Sequence, residues 1–581
     1  MKNYLFDGRR LLLSWLFEYT VLLASRVLAV PAPMRVIWWF AAACMLCGMA
    51  FLLAPVPMAA LFGFHQLSPV ALTDVRAYYG AMLVALGIAL AYAPVDKRTA
   101  RVALAVIAAF ALGSAAGRLL GMLMDTPWLS IHGLLLPVEL LLGGYCLRLY
   151  RWQAPASAEP IPPLQPQTPA DFYPLSAGNF RQPYRYYRLL RDDYPLYHMA
   201  SEGFFILSRY EDITRYCKET ELLSNKLVEI LATGRPKPPG KKGPSAVERL
   251  GEWGILPVDV LALQDPPVHT AERKIGHSGF NAHSVRALEA EVETLCDEMM
   301  AEFLPHGRVE FVQDFAWRLP MRLIIRYLGL PEEDFEQIKQ WCVDGIRSLS
   351  GTASRAEQIA IAASSAQFMR YLWRQYRRIS RQGGDSFTAL LARQANDPDS
   401  IMTDQRAVAT LLQLLIAGSD SSASSMASAI KEMVENPALE QRLRQRPEDI
   451  PLFIEEVFRT ESAFQGHFRL TTRPCVIHGV ELPAASRIFM LWASGNRDER
   501  FWGDDADSFN MDRANVKKHL TFGHGIHACI GRELARMEIR IVISKLLANT
   551  EQLAIVGDTP YEASLFARTL TRLPLAFQAR A

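Results

Sequence analysis

The residues with the most chemistry to offer lie between Thr521 and Gly531, Thr-Phe-Gly-His-Gly-Ile-His-Ala-Cys-Ile-Gly, where three glycines surround one cysteine, Cys529. A helical pattern starts directly after it, running from Arg532 through Ile539. Cys529 thus stands where a glycine-rich loop becomes a helix, and the free N–H groups and positive dipole end there favour a thiolate. Gly523 and Gly525 allow left-handed torsions and a close approach of the backbone to a flat partner. Phe522 can screen the sulfur from water, and His527 lies just before it. A lone thiol after a glycine turn is equally explained as a small buried hydrophobe. A thiolate, by contrast, requires a cation or a metal beside it, and haem iron is one metal that takes it.

Three other stretches carry paired polar groups and a fourth carries a single one. In Asp265-Pro-Pro-Val-His-Thr-Ala-Glu-Arg273 the prolines prepare a helix start, which puts His269 and Arg273 on one face. Two such donors can hold a carboxylate, although a plain surface pair has the same spacing. Thr403 to Asn436 reads as one long helix, with Asp420 and Ser421 side by side at its centre. An acid next to an alcohol suits proton transfer. Gly418 beside a run of serines predicts a bend or an opened hydrogen bond there; close packing of small residues is the alternative. Pro451 to Arg459 is a shorter helix in which Glu456 and Arg459 can pair at i,i+3. Residues 465–484 read as strand–turn–strand, and Arg469 within them is a further carboxylate donor.

The elements that must position these groups occupy only part of the chain. Its 581 residues exceed one ordinary domain, and a net charge of +2 suggests no nucleic-acid partner. The 8 cysteines show no zinc or iron–sulfur spacing, which fits a reducing compartment. Residues 1–33 contain an interfacial amphipathic helix pattern between Leu11 and Val30. Residues 34–152 carry four apolar runs, Val36–Pro55, Ala77–Ala93, Val102–Met124 and Leu134–Tyr150, each of spanning length. Lys and Arg gather on one side of them, which predicts an all-α four-span module in the lipid bilayer with both ends cytoplasmic. Arg118 and Glu139 fall at matching depth in the third and fourth runs; they can pair or hold a ligand. Residues 153–170 form a proline-rich linker. Residues 171–581 read as soluble, opening with a basic aromatic helix at Tyr184–Asp193 and a strand at Phe204–Leu207. They include an irregular basic stretch, 224–263, that reads as a solvated loop.

In order, the chain offers His269/Arg273, Ala417-Gly-Ser-Asp-Ser421, Glu456-x-x-Arg459, Arg469 and the cysteine loop. This series resembles the cytochrome P-450 family of haem-thiolate monooxygenases, bacterial members above all, across residues 171–581. The first 150 residues faintly resemble a small bacterial membrane family of unknown function. The cytochrome P-450 resemblance implies a mainly α fold with small β-sheets and haem b between the long helix and the cysteine loop. It implies Cys529 as axial thiolate; His269, Arg273, Arg469 and His527 as propionate partners; and Phe522 and Gly523 as residues against the porphyrin. Asp420 and Ser421 would deliver protons, and Glu456–Arg459 would lock the core beneath the haem. Leu415, Ala417, Phe468 and Phe566 match positions that face substrate. The family usually has threonine where Ser421 stands, and serine lacks the methyl that fixes the rotamer. The arginine that often completes the Glu-x-x-Arg network is replaced by Ser508, with Arg513 as a substitute. The expected activity is O2-dependent oxidation of a lipophilic substrate at the bacterial inner membrane. Electrons would come from NAD(P)H through a separate ferredoxin- or flavodoxin-type partner and its reductase. A peroxide-driven haem-thiolate hydroxylase and a membrane haem sensor are the alternatives.

Overall fold

The computed structural model describes residues 35–61, 131–152, 183–199, 203–229, 245–349, 355–562 and 564–580, with isolated residues between 79 and 115. The N-terminal interfacial helix, the linker, Arg118 and the basic core of the 224–263 loop lie outside the described residues. The chain divides into two compact units, the first Met1–Pro160 with Ser354–Ile359 and the second Ile161–Ala353 with Ala360–Ala581.

In the first unit, helix α1 spans Arg35–Leu53, is followed by the short helix Pro55–Leu61, and α2 spans Ile131–Trp152. Both longer helices coincide with expected spans. Their outer faces stay apolar, with Leu46, Leu53 and Leu141 at 74%, 78% and 75% exposure. Among the described residues no helix is long and apolar enough to cross a membrane. The expected second and third spans lie mostly outside the described residues. A Cβ added to Gly143 of α2 would sit 2.6 Å from Leu112, so these two segments touch through a glycine.

The second unit is built on helices. Apolar side chains at helical spacing bury one continuous core, including Phe311, Leu323, Leu411, Met426, Phe453 and Val542. Four helices of this core carry the residues of interest: α3 (Val268–Phe280), α4 (Asp404–Glu435), α5 (Ile450–Thr460) and α6 (Arg532–Asn549). Thr403 caps α4, its hydroxyl accepting the Arg406 N–H at 3.2 Å. Rather than ending at Gly418, α4 continues through it as one helical run. Its serines bond backward along the helix instead, Ser419 Oγ to the Leu415 carbonyl at 2.9 Å and Ser421 Oγ to Ala417 at 2.7 Å. The hydroxyls thus find carbonyl acceptors without opening the helix.

A five-stranded sheet lies in the order Leu196–Met199, Phe204–Leu207, Arg487–Met490, His467–Thr471, Leu223–Ser224. The third strand of that order runs parallel to the second and antiparallel to the fourth. A hairpin follows at Cys475–Leu482, turning through His478 and Gly479, both with positive φ. A three-stranded sheet, Arg308–Glu310, Pro574–Ala579 and Thr550–Ile555, closes the C-terminus.

Candidate active site

The cysteine loop is held by its own backbone. Gly523 N–H donates to Leu520 O at 2.7 Å, Cys529 N–H to Phe522 O at 2.7 Å and Ala528 N–H to Gly525 O at 3.1 Å. Gly523 and Gly525 take φ of +70° and +75°, where any side chain would be strained. A Cβ at Gly525 would also lie 2.8 Å from the Cys217 carbonyl oxygen, so the loop is pressed against a neighbouring turn. The Phe522 ring stacks edge-on to Phe458 at 4.8 Å, with the Arg536 guanidinium 4.9 Å from its centre. The cysteine itself is exposed. Even so, burial dominates its thiol and pushes the pKa up, against the Gly531 N–H and the charges of Arg273, Arg532 and Arg536. An open surface ringed by protein on all sides means that the sulfur faces an enclosed space rather than bulk water.

Next to the loop, side chains from three elements converge. His269 and Arg273 come from α3, His467 and Arg469 from the strand His467–Thr471, and His527 from the loop. The His269 and His527 rings lie 4.2 Å apart. Burial, then Arg469, His269, His467 and Arg273, push the His527 pKa down to about 2. Burial and then Arg469 lower His467 to about 4. The cluster therefore holds two guanidinium ions and imidazoles kept neutral. Both ring nitrogens of His269 and Nδ1 of His527 are buried, with no hydrogen-bond partner among the described residues. Arg273 donates to the Ala528 carbonyl at 2.7 Å, and Arg469 to Phe468 O at 2.9 Å and His467 Nδ1 at 3.3 Å. Among the described residues no carboxylate is bonded to any of them; Asp265, which acts on His269 and Arg469 at a distance, is engaged by Ser224 and Asn225. Buried donors without acceptors are costly and rare, so an arrangement like this awaits an anion.

A second set lies on α4. The Asp420 carboxyl is buried, accepts from Thr569 Oγ1 at 3.3 Å, and is pushed up to about 7, mainly by burial and then by Glu562. Ser424 Oγ donates to Thr569 Oγ1 at 2.9 Å. Ala417 is exposed and Ser421 partly so, one turn apart on the same face. Leu415 is not on that face. It is wholly buried in the helical core, correcting the expectation that it faces substrate: two residues along a helix is about 200°, nearly the opposite side from Ala417. Phe468 and Phe566 share one apolar cluster with Phe204 and Phe489.

Beneath the loop, Arg459 forms a two-pronged pair with Glu456, both bonds 2.7 Å, and neither side chain reaches solvent. Its other N–H groups bond the carbonyls of Asn496 at 2.9 Å and Ser508 at 2.8 Å. Arg513 reaches the same Glu456 through Nε at 3.2 Å and Asp505 through Nη1 at 2.7 Å, so Arg513 takes the place left by Ser508.

The family model described as Cytochrome P-450 matches residues 340–448 and 450–561. Cytochrome P-450 144 of Mycobacterium tuberculosis is 28% identical over 404 residues, 70% of this chain and 91% of its own length. A cytochrome P-450 of Bacillus subtilis is 27% identical over 411 residues, covering 69% and 96%. The second unit belongs to the cytochrome P-450 family. Among solved structures, cytochrome P-450 CREJ in complex with (4-ethylphenyl) dihydrogen phosphate aligns with a TM-score of 0.63 at 25% identity, over 68% of this chain and 98% of that one. The Tepidiphilus thermophilus cytochrome P-450 heme domain aligns with a TM-score of 0.64 at 24% identity, over 70% and 97%. Residues 34–150 match a domain of unknown function, DUF4345.

The chain is thus a cytochrome P-450 monooxygenase. Its family uses haem b with a cysteine thiolate ligand and electrons derived from NAD(P)H. Haem b brings two carboxylates and an iron that takes a thiolate, which matches the unpartnered donors and the enclosed sulfur. The sequence reading missed His467. Its signal was available: in a strand the residues i and i+2 share a face, so His467 accompanies Arg469.

Proposed function

We propose that Cys529 is the axial ligand of haem b and that His269, Arg273, Arg469 and His527 hold its two propionates, in an enzyme anchored to a membrane by its first unit. The single observation that carries the site is the set of buried nitrogens on His269 and His527 that have no acceptor. When bound, haem supplies O2 activation and the insertion of one oxygen atom into substrate. The protein does the rest. Phe522 and the Gly523–Gly525 turn keep water from the sulfur side. The Glu456–Arg459–Arg513 cluster fixes the segment that leads into the loop. Asp420, whose carboxyl holds a proton up to about pH 7, supplies protons from α4, and the Ser421 hydroxyl passes them on.

Ala417, Phe468 and Phe566 offer an apolar wall, which supports a small lipophilic substrate. Outward-facing leucines on α1 and α2 support anchorage in a bilayer, with the haem domain on the cytoplasmic side of a bacterial inner membrane. The family generally takes electrons from ferredoxin and reductase partners, which supports a donor of that type here. The test is reconstitution of haem-free protein with haem and with its dimethyl ester, whose propionates are neutral. The free diacid should bind at least tenfold more tightly, the worth of one charge-assisted bond. Equal affinities would remove the propionate assignment.

A further inference from the structure

Asp420 is fully enclosed, yet a residue that gives up a proton in each cycle must take one back from solvent. Among the described residues the one hydroxyl on its carboxylate, Thr569 Oγ1, belongs to the strap that closes through the Tyr561/Leu570 bridge. Opposite Thr569 on that strap stands Glu562, its N–H bonded to the Thr569 carbonyl at 2.8 Å. The Glu562 side chain is only partly buried. Paired residues on neighbouring strands put their side chains on one face, so Glu562 lies on the side of the strap from which Thr569 reaches Asp420. Among the described residues its charge is felt by Asp420, while Arg347, from the helix Phe335–Leu349, acts on it.

We propose that Glu562 is the acid through which Asp420 is reprotonated, with Thr569 as the positioning residue that holds the Asp420 carboxylate toward the strap. In each transfer one proton leaves the Glu562 carboxyl and arrives on the Asp420 carboxylate. The negative charge moves the other way, and Glu562 recovers its proton from water. No electrons or further reactants are involved. Burial raises the pKa of both acids, so each holds its proton closer to neutral pH than a free carboxyl does. The two shifts have the same direction and the same leading cause, so burial opposes the charged form on both sides of the transfer. The first acid sits where water reaches it and the second where water does not.

This inference rests on the reading of Asp420 as a proton donor, and the experiment separates the two. Infrared spectra of the full-length resting enzyme contain the Asp420 carboxyl band, identified by its loss in Asp420→Asn. On mixing into heavy water, that band shifts as the proton is replaced. Glu562→Gln should slow the shift by about tenfold or more, and Glu562→Asp should restore most of it. Thr569→Val should broaden or displace the band while leaving the exchange dependent on Glu562. Exchange in Glu562→Gln as fast as in wild type overturns the relay. Slowed exchange together with unchanged oxygen coupling in Asp420→Asn would keep the relay and discard the catalytic role of Asp420.

Discussion

Two buried arginine clusters lie near the cysteine loop, and they differ in one respect. Around Glu456, both arginines find acids: Arg459 through two 2.7 Å bonds, Arg513 through Glu456 and Asp505, with carbonyls taking most of the remaining N–H groups. Around His527, among the described residues, Arg273 and Arg469 meet only carbonyls and an imidazole, and three ring nitrogens have no partner. Burying arginine therefore has opposite meanings in the two places. A satisfied cluster is complete in itself and serves the fold, whereas an unsatisfied one is tolerated only because a further group completes it.

The comparison breaks first if the satisfied cluster proves dispensable. Glu456→Gln leaves Arg459 buried beside a neutral amide, and the loss should be about 3–5 kcal/mol in urea unfolding of the haem-free protein. A neighbouring acid offers a pH test of the same kind. Burial raises Glu455, but bonds from His519 and Arg536 outweigh it and hold the carboxyl at about 2, below its ordinary value near 4.5. A depressed carboxyl stabilises fully above its unfolded pKa and loses that contribution as the pH falls through the folded one. Between pH 4.5 and 2 the protein should lose about 3 kcal/mol that Glu455→Gln does not lose, read from thermal melts across that window.

The unsatisfied cluster should respond with the other sign. Arg469→Ala should weaken haem binding by about tenfold to a hundredfold while leaving the haem-free protein as stable or more so. Titration with haem and melting without it give both numbers. A haem-free protein destabilised like Glu456→Gln would show that the two clusters are not different in kind. The smallest expected effect lies on α4. Ser421→Thr adds the methyl that fixes the rotamer, and should lower peroxide released per substrate oxidised by about twofold.

Much of this contrast was legible before the fold. Helix periodicity and caps placed α4 and α5 to within a residue, because Thr403 and Asn436-Pro437 are unambiguous ends. The spacing of Glu456 and Arg459 gave their pairing, and the absence of an arginine at 508 pointed to Arg513. Other features depended on tertiary packing. Leu415 was misplaced because a run of apolar residues on a buried helix does not reveal which face the core takes. That the serine hydroxyls beside Gly418 bond carbonyls one turn back also depended on the folded helix. His467 belongs to no motif, and the strap that brings Thr569 and Glu562 to Asp420 joins residues about 150 apart in sequence.

The central claim is a sulfur–iron bond at position 529, and the ferrous–carbon monoxide spectrum reads it directly. Wild-type protein should give the red-shifted Soret band of a thiolate-ligated haem, and Cys529→Ser should lose it while still binding the pigment through the cluster around His527. Identical spectra from the two proteins would contradict the account.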